Sequence, residues 1–119
     1  MLEQLKQTWT PNSCSESEVQ QRISDRVAKD YGELPIPCFD DNDFLKVLAE
    51  NILLSRNHRT LDIGCGSGVY SMALAPFVGE AVGVDISPNM IDYAVKRSKE
   101  RGLDNTSFLH MDWTLCYAA

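Results

Sequence analysis

Leu61-Asp62-Ile63-Gly64-Cys65-Gly66-Ser67-Gly68, running on into Val69-Tyr70-Ser71-Met72-Ala73-Leu74-Ala75, is the stretch on which the fold turns. Thr60 to Ile63 is a short stretch of strand character. Gly64, Gly66 and Gly68 then form a turn, and Val69 to Ala75 suits a helix that closes near Pro76. Glycine here permits positive φ and lets a ligand approach the backbone closely. The N–H groups freed by such a turn, with the positive end of the helix, are expected to hold an anionic group. A plain βα turn uses the same residue types, so the surroundings have to decide.

They favour a ligand of a particular kind. A dinucleotide fingerprint needs G-x-G-x-x-G, and position 69 is Val. A phosphate loop needs a lysine in the turn, and there is none. Asp62, two residues ahead of Gly64, repels a diphosphate and suits a cationic centre. The next strand, Ala81-Val82-Gly83-Val84, ends in Asp85, where a carboxylate accepts both hydroxyls of a ribose. A ribose, a cation and a small anion without a diphosphate are the parts of S-adenosylmethionine.

Outward from this centre the alternation continues. Ser87 is the expected cap of a helix with Pro88 in its first turn, where a missing N–H does no harm. Met90, Ile91, Ala94 and Val95 give that helix its apolar side. Gly102 ends it with Leu103 as the contact past the cap. Ser107-Phe108-Leu109-His110 reads as a third strand. Strands alternating with helices imply a parallel sheet. Before residue 59 the pattern is helical. Residues 1–10 suit a short helix. Ser15 to Glu18 reads as a capping box, followed by the stripe Val19, Ile23, Val27, with Gly32 as stop. Pro35 and Pro37 hold an extended segment. Asp41 or Asn42 caps a further helix whose expected buried side is Phe44, Val47, Leu48 and Ile52.

Taken together these motifs resemble the class I S-adenosylmethionine-dependent methyltransferases. LDIGCGSG, residues 61–68, is similar to their first motif, VGVDISPNMIDYA, residues 82–94, to the second-strand motif, and FLHMDW, residues 108–113, to the third. The resemblance implies an α/β fold, a Rossmann-like doubly wound parallel sheet. Residues 58–119 would carry strands 1–3 and the cofactor-binding half, and residues 1–57 an amino-terminal helical cap. It implies that the backbone of Gly64, Cys65, Gly66 and Gly68 lies under the methionine moiety, with the Cys65 side chain a small filler. It also implies that Asp62 holds the amino group, Asp85 the ribose, and that Ile86 and Met90 line the adenine. Asp112 would accept from the adenine amino group and the Trp113 backbone N–H would reach a ring nitrogen. Trp9 and Tyr31 are weaker candidates from the cap. Asp85→Ala is expected to weaken cofactor binding with little effect on folding.

The implied activity is methyl transfer to an acceptor, expected to be a small molecule; no catalytic base is identified. A non-catalytic cofactor-binding or interaction module is the alternative, and a nicotinamide oxidoreductase is disfavoured by Asp62 and Val69. The net charge of −6 argues against a broad phosphate-binding face. The run Asp40 to Asp43 reads as capping rather than as a metal site, and His58 and His110 show no partner pattern. The four cysteines form no CxxC pair, which suits a reducing cytoplasm. No apolar run approaches the roughly 18 residues that span a bilayer. Because the family's strand four pairs with strand one, strand one is expected here to be an exposed edge, open to self-association.

Overall fold

The computed structural model describes residues 16–31 and 34–112. Two helices come first: α1, Glu16–Tyr31, and α2, Asp43–Asn51. Strands β1 (Arg59–Ile63), β2 (Glu80–Asp85) and β3 (Thr106–His110) then alternate with helices α3 (Val69–Leu74) and α4 (Pro88–Glu100). The three strands form one parallel sheet in the order β1-β2-β3. Ile63 pairs with Val84, and Asp85 with His110, so the strands' carboxyl ends finish along one edge. In such a sheet the loops at that edge carry the ligand site.

Local chemistry explains most boundaries. The Ser87 hydroxyl accepts the Met90 N–H at 3.2 Å and caps α4, with Pro88 as its first residue. At the far end Gly102 has φ +68°; its N–H bonds to the Lys99 carbonyl and that of Leu103 to Ser98. That pair of bonds is a Schellman cap, which a residue with a Cβ would strain. The α-helix closes just before Pro76, as expected, at Leu74. Pro76 itself lies within a 3-10 turn, Ala75–Phe77, that follows α3. Proline is tolerated there because the first turn leaves its N–H position without a partner in any case.

Two small clusters make the core. Leu45, Ala73 and Leu74 pack with Phe39, Leu48 and Leu54, while Ala75, Val78 and Ala81 pack with Leu54 and Leu103. The expected face of α2 needs correction. Leu45 is fully buried, whereas Phe44 and Val47 are more than half exposed and Ile52 is exposed as well. The stripe Phe44-Val47-Leu48 and the stripe Leu45-Leu48 overlap, and Ala73 and Leu74 receive the second. Asn42, not Asp41, is the cap of α2: its Oδ1 accepts the Leu45 N–H at 3.0 Å. Among the described residues β1 is an edge strand, with Leu61 and Ile63 exposed. No helix among them is long and apolar enough to cross a membrane. The expected helix over residues 1–10 and the Ser15 and Gly32 signals lie outside the described residues.

Candidate functional site

The glycine turn is built by left-handed backbone. Gly64, Gly66 and Gly68 have φ of +77°, +56° and +79°. A side chain at Gly64 or Gly66 would meet nothing within 4 Å, so both face open space. Gly68 differs: a Cβ there would lie 2.6 Å from the Phe108 ring, which packs beneath the start of α3. Gly83 is hemmed in similarly by Cys65 and Phe108.

Four N–H groups of this turn bond inside the protein. Those of Gly64 and Cys65 both bond to the Val84 carbonyl, that of Gly68 to the Cys65 carbonyl, and that of Gly66 to Asp85. Those four donors are therefore not the ones that would hold a diphosphate as in a phosphate loop.

Asp85 accounts for much of this arrangement. It is buried, and its two carboxylate oxygens each accept one backbone N–H at 2.9 Å, from Gly66 and from Ser87. The side chain thus joins the end of β2 to the turn after β1. Each oxygen keeps a further lone pair for a ligand. The expectation that Asp85→Ala leaves folding nearly untouched is corrected here, because the carboxylate is also the clamp of the turn.

A cavity of about 720 Å³ opens over the turn, lined by Asp62, Gly64, Cys65, Gly66 and Met90 on one side. Burial pushes the Asp62 carboxyl above its ordinary value, and the neighbouring Asp85 adds to the effect. A cation placed beside Asp62 relieves both. Burial, then Asp85 and Asp62, push the Cys65 thiol up to about 12. That leaves it an inert filler rather than a nucleophile. The other side of the cavity is apolar, with Phe44, Leu48 and Tyr70 prominent. Sequence reasoning did not single out Tyr70, and it assigned Phe44 to the core; the helical period alone carried no signal for either role.

Ile86 and Asp112 line a second cavity, of about 500 Å³, roofed by Ser17, Glu18 and Gln21 of α1. The Ser17 hydroxyl donates to Asp112 Oδ2. Ser87 Oγ donates to Asp25 Oδ1 at 2.5 Å, a second tie between α1 and the sheet's carboxyl edge. His110 has Nε2 at 2.9 Å from the Ile86 carbonyl and joins β3 to the loop after β2. Trp9, Trp113 and the Tyr31 side chain lie outside what is described.

Comparison with known proteins agrees with this geometry. A family model described as a methyltransferase domain matches residues 54–117. The 23S rRNA (uracil(1939)-C(5))-methyltransferase RlmD of Shewanella sediminis is 35% identical over 104 residues, covering 72% of this chain and 24% of that protein. The aklanonic acid methyltransferase DauC of a Streptomyces species is 47% identical over 57 residues, covering 45% and 26%. An RNA methyltransferase from Salinibacter ruber, solved with S-adenosyl-L-homocysteine, superposes with a TM-score of 0.56 at 25% identity. That match covers 68% of this chain and 52% of the other. The chain spans about a quarter of the length of the curated relatives it matches.

Proposed function

This chain belongs to the class I S-adenosylmethionine-dependent methyltransferases, and on that premise we propose that it holds the cofactor of an enzyme methylating a small molecule. The observation that carries the reading is the space above Gly64 and Gly66 beside the perturbed carboxyl of Asp62. Those features fit the cofactor. Two side-chain-free positions leave its methionine end room against the backbone, and a half-buried acid awaits an ammonium. When bound, S-adenosylmethionine supplies a methyl group on a sulfonium whose departure leaves a neutral thioether.

The chain's own residues bind and orient. Asp62 would pair with the ammonium, and Asp85 would offer its remaining lone pairs to the ribose hydroxyls while keeping the turn in place. Ile86 and Met90 would flank the adenine, with Asp112 accepting from its amino group and the Trp113 N–H donating to the ring. No side chain is assigned as a base; rate would come from holding the acceptor's nucleophile in line. A small acceptor is supported by the net charge of −6 and by a described cavity lining without Lys, Arg or His. An RNA acceptor needs phosphate partners. We place the enzyme in a reducing cytoplasm on its widely spaced cysteines, of which Cys38 and Cys65 are free thiols.

Calorimetric titration of the full-length protein with S-adenosylhomocysteine and with NAD tests the reading. Micromolar binding of the first and none of the second is expected; tighter binding of NAD would sink it.

A further inference from the structure

The second cavity, of about 500 Å³, sits at the carboxyl ends of β2 and β3, and among the described residues none from the open edge strand β1 lines it. Its lining includes Ile86 and Asp112, the proposed partners of the adenine, and α1 roofs it. Ser17 fixes the register of that roof through its bond to Asp112. Gln21 follows Ser17 by four residues and stands one turn further along the same face of α1. Its side chain is half-buried and lines the cavity as well.

Adenine asks for donors as well as acceptors. Its ring nitrogens only accept, and its amino group has two protons to give. With Asp112 taking one amino proton and the Trp113 backbone N–H serving a ring nitrogen, the second amino proton and the adjacent N7 still need partners. Most side-chain donors of the cavity lining are already committed. The Ser17 hydroxyl gives its proton to Asp112. A carbonyl only accepts, so His110 Nε2, at 2.9 Å from the Ile86 carbonyl, carries the proton of the neutral ring and gives it there. Glu18 and Asp112, as carboxylates, have none to give. The Gln21 amide has two protons and an accepting oxygen. Among the described residues it is the one side-chain donor of the lining that no bond inside the protein claims.

We infer that Gln21 is a further specificity residue for the cofactor, its amide N–H donating to N7 of the adenine and its carbonyl oxygen accepting the second amino proton. An amide laid along that edge makes two parallel bonds, the pairing by which Asn and Gln read adenine in the major groove of DNA. The inference rests on the cofactor reading and adds to it a contact from α1. It also gives the roof a chemical part in recognition, beyond covering the site.

The test is calorimetric titration of the full-length protein with S-adenosylhomocysteine and with its 7-deaza analogue, in which a C–H replaces N7. The parent protein is expected to bind S-adenosylhomocysteine about two- to tenfold more tightly than the analogue, the worth of one neutral hydrogen bond. Gln21→Met keeps the length and helix propensity of the side chain and removes both polar atoms, so the ratio of the two dissociation constants should fall to about one. Gln21→Glu keeps an acceptor for the amino proton but sets a carboxylate against N7, so the ratio should invert in favour of the analogue. Both variants should melt with the parent by circular dichroism, because the side chain is only half-buried. Equal binding of the two ligands by the parent overturns the inference, as does a preference that survives Gln21→Met in the folded protein. Failure of the parent to bind S-adenosylhomocysteine at all would instead strike the cofactor reading, and this inference with it.

Discussion

Asp85→Asn converts one oxygen of a buried carboxylate into an NH2 group and removes its charge. Both oxygens are in use, one by the Gly66 N–H and one by the Ser87 N–H, each at 2.9 Å. An amide supplies only one acceptor, so whichever way it turns, one backbone N–H faces another donor. The lost charge-assisted bond is worth about 1.5–3 kcal/mol, and the surviving one weakens to about 0.5–1.5 kcal/mol. Relief of the repulsion with Asp62 offsets part of this. A net loss of about 2 kcal/mol is a large share of the roughly 5–15 kcal/mol that hold a domain folded. It should lower the melting temperature by about 4–8 °C in a protein of the relatives' size. Thermal unfolding of the full-length variant followed by circular dichroism measures it. Calorimetry should show S-adenosylhomocysteine bound at least about tenfold more weakly, equivalent to about 1.4 kcal/mol. A second signature is independent of both: the Asp62 carboxyl, one of whose perturbing neighbours is Asp85, should titrate lower in the variant by NMR. An unshifted melting point together with unchanged affinity would refute the clamp argument.

Gly66→Ala and Gly83→Ala should fail in opposite ways. A methyl group at Gly66 meets nothing within 4 Å but enters the cavity, so the protein folds with a left-handed penalty of roughly 1–2 kcal/mol and loses cofactor affinity. At Gly83 it would lie 2.8 Å from both Cys65 Cβ and Sγ; this overpacking costs about 1–3 kcal/mol and shows in the melting point rather than in calorimetry of the folded fraction. The raised Asp62 carboxyl gives a signed pH dependence. Between its ordinary value of 3.8 and its raised one, the folded protein holds a proton that the unfolded chain has released. Stability without cofactor therefore falls as pH rises through that window, and Asp62→Asn should abolish the slope in denaturant unfolding. Affinity for S-adenosylhomocysteine should run the other way, rising as Asp62 ionises. Cys65, with its thiol pushed up to about 12, should label far more slowly than exposed Cys38 in peptide-mapped alkylation at neutral pH. Equal rates would mean that the turn opens readily.

What was legible in the sequence was whatever local physics decides. Gly64, Gly66, Gly68 and Gly102 take positive φ where turns and a helix end demand it, and Ser87-Pro88 starts α4 as capping chemistry requires. Contacts between distant segments were not legible. Asp85 is legible as a candidate ligand acid from its place at the end of β2, but not as the clamp of the turn, because its protein partners are backbone N–H groups, which leave no mark in a sequence. Ser17 with Asp112 and Asp25 with Ser87 join segments far apart in the chain, and no periodicity relates them. The cap of α2 shows how much a small ambiguity can hide. Asp41 and Asn42 are equally good caps by propensity, since either side chain can accept the N–H that needs a partner. Only an amide has a donor left once its oxygen is engaged. With Asn42 in that place, its amide donates to the Tyr70 hydroxyl, which accepts and must aim its proton elsewhere; with a carboxylate there, the same tyrosine would donate back to the cap. The choice between two residues of nearly equal helix-starting strength thus sets the hydrogen-bonding sense of a wall in the cavity, an effect felt some distance from the helix that the residue caps.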